Sequence, residues 1–560
     1  MNTSKFAGKG RLQFHHLGLR SARCAILFGI LGASSWAAAA GGSYAFDKGD
    51  SGDSPSWTPD IVTAIDEYVI APTFNGGRLG LDHFADSNSL DQQGLVTAKL
   101  ANGDMVVAGL VPDGVSGGSC GDGTKLCKIG LVRYSASGQR ITWPNAGING
   151  RFSNNYVVYP SQSTNTLRYQ YLRDVNVRGN LIDVLVDYPD SNHTALTLGH
   201  RNVYVQTFRD DGSYHSERAA FGAASFGSPG DNEDFYGAQM AQIDSTTMII
   251  AATAYDSVGP YIAVTRLAID GSGALIVDGG WGTGYAGVNF SRLNRYFGPA
   301  SFCNVPVSGR CEVTAANVAR QEGFATATDF YVGGSLHYSG NDYDVLTLKI
   351  SSFDGARKAE FGGSGWIRTG FDQVGSTQKD ITAGLYVYQD DVYVAAQVAQ
   401  KCFDGIGLAK LDGANGSRVA AFGTSGIAVF GGQGNISPCF TFSGPDVPFA
   451  ISATGGRIGI AGYRGFHGLS NTYLVDPMLA VVNAVNGTVL DIDSHPLMRP
   501  DGSRFGDAVL FGIYGGPLAT SPFTVAGNGR DTTAGNTLSY VSGRLIPVSS
   551  DRIFASGFDN

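Results

Sequence analysis

A short β-type segment ending in small residues recurs seven times along this chain. The copies are Val106-Val107-Ala108-Gly109, Val184-Leu185-Val186-Asp187, Ile249-Ile250-Ala251-Ala252, Tyr331-Val332-Gly333-Gly334, Tyr393-Val394-Ala395-Ala396, Gly459-Ile460-Ala461-Gly462 and Thr524-Val525-Ala526-Gly527. Their mean spacing is about 70 residues, a regularity that belongs to solenoids, arrays and propellers. An alternating segment follows each copy, at residues 129–134, 203–208, 262–267, 345–350, 406–411, 479–484 and 538–541. Alternation with a period of two predicts a strand. Four of these segments carry a cation at the equivalent place, Arg133, Arg266, Lys349 and Lys410. We expect these cations to be solvated or paired on the polar face.

Two further markers complete the unit. A turn follows six of the alternating segments, as Ser137-Gly138, Asp211-Gly212, Asp270-Gly271, Asp354-Gly355, Asp412-Gly413 and Asn486-Gly487. Asp-Gly and Asn-Gly suit hairpins whose two central residues take positive φ. An aromatic-Gly break comes next, best seen in Phe361-Gly362-Gly363-Ser364-Gly365 and Phe422-Gly423-Thr424-Ser425-Gly426. The seventh unit lacks this end, while Phe74-Asn75-Gly76-Gly77 is an end without a beginning. These halves complement each other. The expected fold is therefore all-β, a single seven-bladed β-propeller over 74–545. Its closing blade would be shared between the termini and completed by a strand at 78–83, leaving no open sheet edge.

The succession of small-residue strand, basic strand, Asp-Gly and Phe-Gly-x-x-Gly resembles the delta-60 repeat of exported bacterial proteins. The best copies are Ile406-Gly407-Leu408-Ala409-Lys410-Leu411-Asp412-Gly413 with 422–426, and 345–355 with 361–365. The resemblance implies a propeller-like fold and export. It implies no catalytic residue.

Export is also expected from the first 40 residues. Lys5, Lys9, Arg11, Arg20 and Arg23 precede the apolar run Ala25-Ile26-Leu27-Phe28-Gly29-Ile30-Leu31, and small residues end at Ala37-Ala38-Ala39-Ala40. This order is that of a secretory signal cleaved after Ala40. Cys24 would leave with it. Residues 41–73 read as a flexible leader, and 546–560 as a C-terminal tail ending Ile553-Phe554-Ala555-Ser556-Gly557-Phe558-Asp559-Asn560. No later stretch is apolar enough to span a bilayer. The expected location is periplasmic or extracellular.

The whole chain has 39 Lys and Arg against 48 Asp and Glu. Removing the five leader cations leaves a balance of −14. Such a chain is a poor partner for nucleic acid or anionic lipid. Six cysteines remain for an oxidising compartment. The simplest pairing is Cys120–Cys127, Cys303–Cys311 and Cys402–Cys439, although six cysteines allow 15 pairings. No spacing indicates a zinc site, a nucleotide loop, a nucleophile elbow or any cofactor. The acidic runs Asp231-Asn232-Glu233-Asp234 and Asn341-Asp342-Tyr343-Asp344 lack calcium-loop spacing and read as solvated loops.

Loop lengths point to one working face. With four strands per blade, the first-to-second and third-to-fourth connections share a face and are short. The others share the opposite face and are long and varied, among them 112–126, 145–168, 190–200, 284–314 and 431–448. They hold all six cysteines, with His83, His193, His200, His337 and His467. Function on a scaffold concentrates in elaborated loops. The expected function is non-catalytic recognition of a protein or glycan by a monomer. The alternative is an enzyme, a hydrolase or lyase, acting on an extracellular polymer.

Overall fold

The computed structural model describes residues 67–548 with interruptions, the longer of them at 83–92, 113–126, 145–150, 155–170, 190–200, 222–233, 283–292, 322–327, 372–378 and 433–442. The chain divides into two units, Met1–Ala40 and Gly41–Asn560, and every described residue belongs to the second. The expected signal, its cleavage point and the final residues 549–560 lie outside the described residues.

The molecule is an all-β propeller of seven blades, with no α-helix among the described residues. Blade one runs Gln93–Lys99, Met105–Pro112, Cys127–Tyr134 and Arg151–Asn154. Blade two runs Tyr171–Arg178, Leu181–Pro189, Arg201–Arg209 and Tyr214–Phe221. Blade three runs Asp234–Asp244, Thr247–Tyr255, Pro260–Ile269 and Leu275–Val277, and Leu293–Tyr296 also pairs with its third strand. Blade four runs Val313–Val318, Asp329–Ser339, Asp342–Ser351 and Trp366–Thr369. Blade five runs Asp380–Tyr388, Asp391–Val398, Gly405–Asp412 and Ile427–Phe430. Blade six runs Ser443–Thr454, Arg457–His467, Tyr473–Asn483 and Val489–Ser494. Blade seven begins with Ala508–Tyr514, Phe523–Asp531 and Thr537–Val548.

All seven small-residue segments fall in second strands. Sheet packing explains their composition. A second strand is sandwiched on both faces, so successive side chains serve opposite neighbours. Val106 and Ala108 join the core shared with blade two, while Val107 joins the core shared with blade seven. Seven such clusters occur, one between each pair of adjacent blades. The seventh joins Ala71, Ala526 and Ile546 to Met105, Val107, Val132 and Tyr134 of blade one.

The terminal small residues answer a second demand. Every first strand carries a register shift against its second strand, at 94/96, 172/174, 236/239, 314/317, 382/384, 448/450 and 510/512. These bulges lie opposite the end of the small-residue segment and press backbone onto it. A Cβ on Gly334 would stand 2.6 Å from Thr314 O, and one on Gly527 would collide with Val509 O.

Blade seven takes its outer strands from the other end of the chain. Gly80–Asp82 pairs antiparallel with residues 540–542, and Glu67–Ile70 pairs with residues 545–548. The expected strand at 78–83 is thus three residues long. The expected leader at 41–73 needs correction, because Glu67–Ile70 is a strand and Tyr68 is fully buried between blades six and seven. The tail boundary also moves, since the third strand continues to Val548.

The turns differ from the expected two-residue hairpins. Positive φ falls at Gly138, Gly212, Gly355 and Gly487 as expected, and later in the other two turns, at Gly273 and Gly416 rather than Gly271 and Gly413; in none of the six does the preceding Ser, Asp or Asn take positive φ. The preceding Asp acts through its side chain. Asp270 Oδ1 accepts from the N–H of Ser272 and Ala274, and Asp412 Oδ1 from Ala414 and Asn415. The aromatic-Gly break is an excursion within the outer strand. Arg357 bridges Ile350, and Trp366–Thr369 resume pairing with 345–348 in the same direction. The assignment of connections to two faces is therefore unchanged.

Candidate functional site on the loop face

The repeated cations do not lie free on a polar face. Each pairs with an acid of its own blade, and several reach the turn of the next. Arg133 pairs with Asp104 and donates to Asp210 O at 3.0 Å. Arg266 pairs with Asp278 and donates to Ser352 O. Lys410 pairs with Asp391 at 3.0 Å and donates to Ala484 O at 3.1 Å. Lys349, which pairs with Asp329, is buried like Lys410. The tyrosine that opens two small-residue strands makes the same reach. Tyr331 donates to Gly413 O at 2.6 Å and Tyr393 to Ala484 O at 2.6 Å. Burial pushes both phenols upward, so they stay protonated donors. Gly362 and Gly423 of the aromatic-Gly breaks add backbone N–H bonds to Asn415 O and Asn486 O, each 2.8 Å.

The same stitches appear where the sequence pattern failed. Blade two has Thr207 where others have a cation, and Arg178 of its first strand substitutes. Arg178 forms a buried fork on Asp183 and donates to Gly273 O at 2.9 Å. In blade seven Arg544 faces Thr524, the register of Lys410 on Tyr393, and donates to Ala136 O. The marker at 538–541 was therefore placed too early in its strand. Asn75 N, from the unmatched N-terminal break, donates to Ser137 O at 3.3 Å. The short-turn face is thus occupied by contacts between blades.

The opposite face carries charge and aromatic groups that are not consumed this way. On blade six, Asp446, Arg464 and Asp476 lie opposite one another across three strands. Arg464 grips Asp446 through Nε at 2.7 Å and Nη2 at 3.2 Å, and Arg504 pairs with Asp476. Burial pushes the Asp476 carboxyl up to about 6, against the pull of Arg504. Burial likewise raises Asp507, which accepts from Val475 N.

Bulges in the innermost strands re-aim Phe449 of blade six and Phe511 of blade seven. Their rings lie 4.9 Å apart, and Phe449 also meets Tyr463 at 5.8 Å. Both phenylalanines are half-buried. The step lies on innermost strands beside the axis, and Tyr463, which Phe449 meets, is the chain neighbour of Arg464.

The other described part of this face joins blades three and four. Gly298–Pro299 and Arg310–Cys311 form a small ribbon, closed by the expected Cys303–Cys311 disulfide with Cα atoms 5.9 Å apart. Arg310 pairs with Asp256 and lies 4.3 Å over the Phe297 ring. Burial works to raise the Asp256 carboxyl, but Arg310 and two backbone N–H groups outweigh it and hold it low. His337 lies here, 3.4 Å from Glu312 and stacked on Tyr343.

Cys402 is disulfide-bonded. Cys120 and Cys439 lie outside the described residues, as do His83, His193, His200 and the side chains of Cys127 and His467. The acidic run at 341–344 is not a solvated loop. Asp342 and Asp344 are buried in the third strand of blade four, where Arg368 pairs with Asp344. Residues 231–233 lie outside the described residues. Among the described residues, no group of three or more His, Cys, Asp or Glu is placed to hold a metal ion. No described helix is long and apolar enough to cross a membrane.

No protein-family model matches the chain, and no curated protein matches it. Among solved structures, it is similar to an ulvan lyase of a polysaccharide lyase family, at 10% identity and a TM-score of 0.41, over 86% of this chain and 99% of that one. It is similar to the endosialidase of phage phi92 at 10% identity and a TM-score of 0.35, over 84% and 70%. It is also similar to an α-L-arabinofuranosidase from Fusarium graminearum at 8% identity and a TM-score of 0.33, over 88% and 98%. No residue role or activity is carried over from these likenesses.

Proposed function

We propose that this chain is an exported, delta-60-like propeller that engages a saccharide on its long-loop face. The observation that carries this reading is the half-buried Phe449–Phe511 step beside the Asp446–Arg464 fork. Aromatic faces stack on the C–H surfaces of sugars, and fixed polar groups orient hydroxyls. The stitched short-turn face offers no equivalent among the described residues. Cys120–Cys127 and Cys402–Cys439 remain the disulfides we propose beside Cys303–Cys311.

A second reading, an enzyme acting on an extracellular polymer, is favoured by Asp476. A carboxyl pushed up to about 6 by burial exchanges its proton closer to neutral pH than an ordinary carboxylate does. A glycan array run with product analysis separates the two. Binding without turnover supports recognition. Turnover that Asp476→Asn abolishes while binding persists supports the enzyme. Absence of any glycan binding or turnover contradicts both.

A further inference from the structure

We propose that Arg320 is the anion-recognising residue of an axial site that takes the carboxylate of a single sugar-acid unit; this rests on the saccharide reading above. The first strand of blade four leaves its own sheet after Ala319. Arg320 and Gln321 then pair in parallel with Tyr386 and Val387 of the first strand of blade five. Gln321 Nε2 donates to Ile243 O of blade three at 2.9 Å. Arg320 Nη2 reaches the Asp174 carboxylate and, at 3.1 Å, Val175 O of blade two. Blades two and five are not neighbours in a ring of seven. A residue tied to both lies at the axis.

The pair is held firmly from one side only. Asp174 is 3% exposed. It also accepts from Val175 N at 2.8 Å and Met240 N at 2.9 Å. The Arg320 side chain is 30% exposed. Its bonds all leave through Nη2, so Nε and Nη1 have no partner among the described residues. The structural arginines differ. Arg133 and Arg178 each use Nε, Nη1 and Nη2 on protein acceptors. Arg320 is instead a guanidinium locked in place with donors left over, the arrangement that recognises a planar anion.

Charge limits the ligand. The sequence after Ala40 carries a balance of −14, which repels a polyanion at long range. A single carboxylate meets the Arg320 guanidinium at short range, where one close opposite charge outweighs a diffuse net charge.

The test is an array of glycans ending in uronic or sialic acids, beside their neutral counterparts and the methyl esters of the same acids. Intact protein should bind the acids and lose at least tenfold on esterification, a comparison that needs no variant. Arg320→Lys keeps a cation for Asp174 and removes the planar fork. It should weaken acid binding at least tenfold while the melting temperature stays within a few degrees. Equal binding of acids, esters and neutral glycans, or unchanged binding by Arg320→Lys, overturns the assignment and leaves the saccharide reading standing. No binding to any glycan overturns both.

Discussion

The two faces of the ring use the same residue types for opposite ends. On the short-turn face, Arg133, Lys410 and Tyr393 spend their donors on an acid of their own blade or a carbonyl of the next. On the long-loop face, the Phe449–Phe511 step keeps surface to spare, and at the axis Arg320 keeps donors to spare. Repetition explains the difference. A contact between adjacent blades recurs at every interface, so its residues recur in the sequence. A ligand meets the ring once, so its residues need no repeat.

The largest effect expected from breaking this division concerns the strands of blade seven. Deleting residues 41–84 removes Tyr68 and both strands that pair with Thr537–Val548. An exposed edge and two opened apolar faces should abolish cooperative melting and cause aggregation. Deleting 41–57 should leave the melt unchanged. Equal melts for the two truncations would show that this pairing is dispensable.

Asp476 should impose a pH slope on stability. Its carboxyl titrates near 6 when folded, above the 3.8 of an exposed group. The folded state therefore binds the proton more tightly. Stability is greatest below the unfolded value, falls as pH rises through that window, and is flat above about 6. The change is on the order of 3 kcal/mol. Denaturation of Asp476→Asn across pH 4–7 should lose this slope; an unchanged slope would assign it elsewhere.

Gly334→Ala should cost about 1–3 kcal/mol, because the bulged first strand leaves no room for a Cβ. A midpoint shift in urea at unchanged slope measures it. Tyr393→Phe should cost about 1 kcal/mol, the worth of one buried hydrogen bond. Lys410 still serves the same Ala484 carbonyl, which keeps the loss small.

These effects map onto what the sequence made legible. The seven second strands were readable because burial on both faces and an opposing bulge restrict them to small and β-branched residues. The equivalent cation was readable in four blades. Arg178 escaped because it substitutes from a different strand. Arg544 escaped because no turn marked where its strand ended. Glu67–Ile70 is four residues whose partner lies more than 470 positions away, at 545–548, and local patterning carries no trace of such pairing. Arg320 escaped for a related reason, as its meaning depends on Asp174, which lies 146 residues earlier. The loop face as a whole was legible only as length.

The division of labour is tested most directly by measuring melting temperature and glycan binding on two variants side by side. Tyr393→Phe combined with Lys410→Met breaks a stitch on the turn face, while Phe449→Ala removes half of the aromatic step on the loop face. The account predicts that the first lowers the melting temperature and leaves affinity unchanged, and that the second lowers affinity at least tenfold with little change in melting. Loss of binding in the stitch variant while it remains folded, or full affinity in Phe449→Ala, would contradict it.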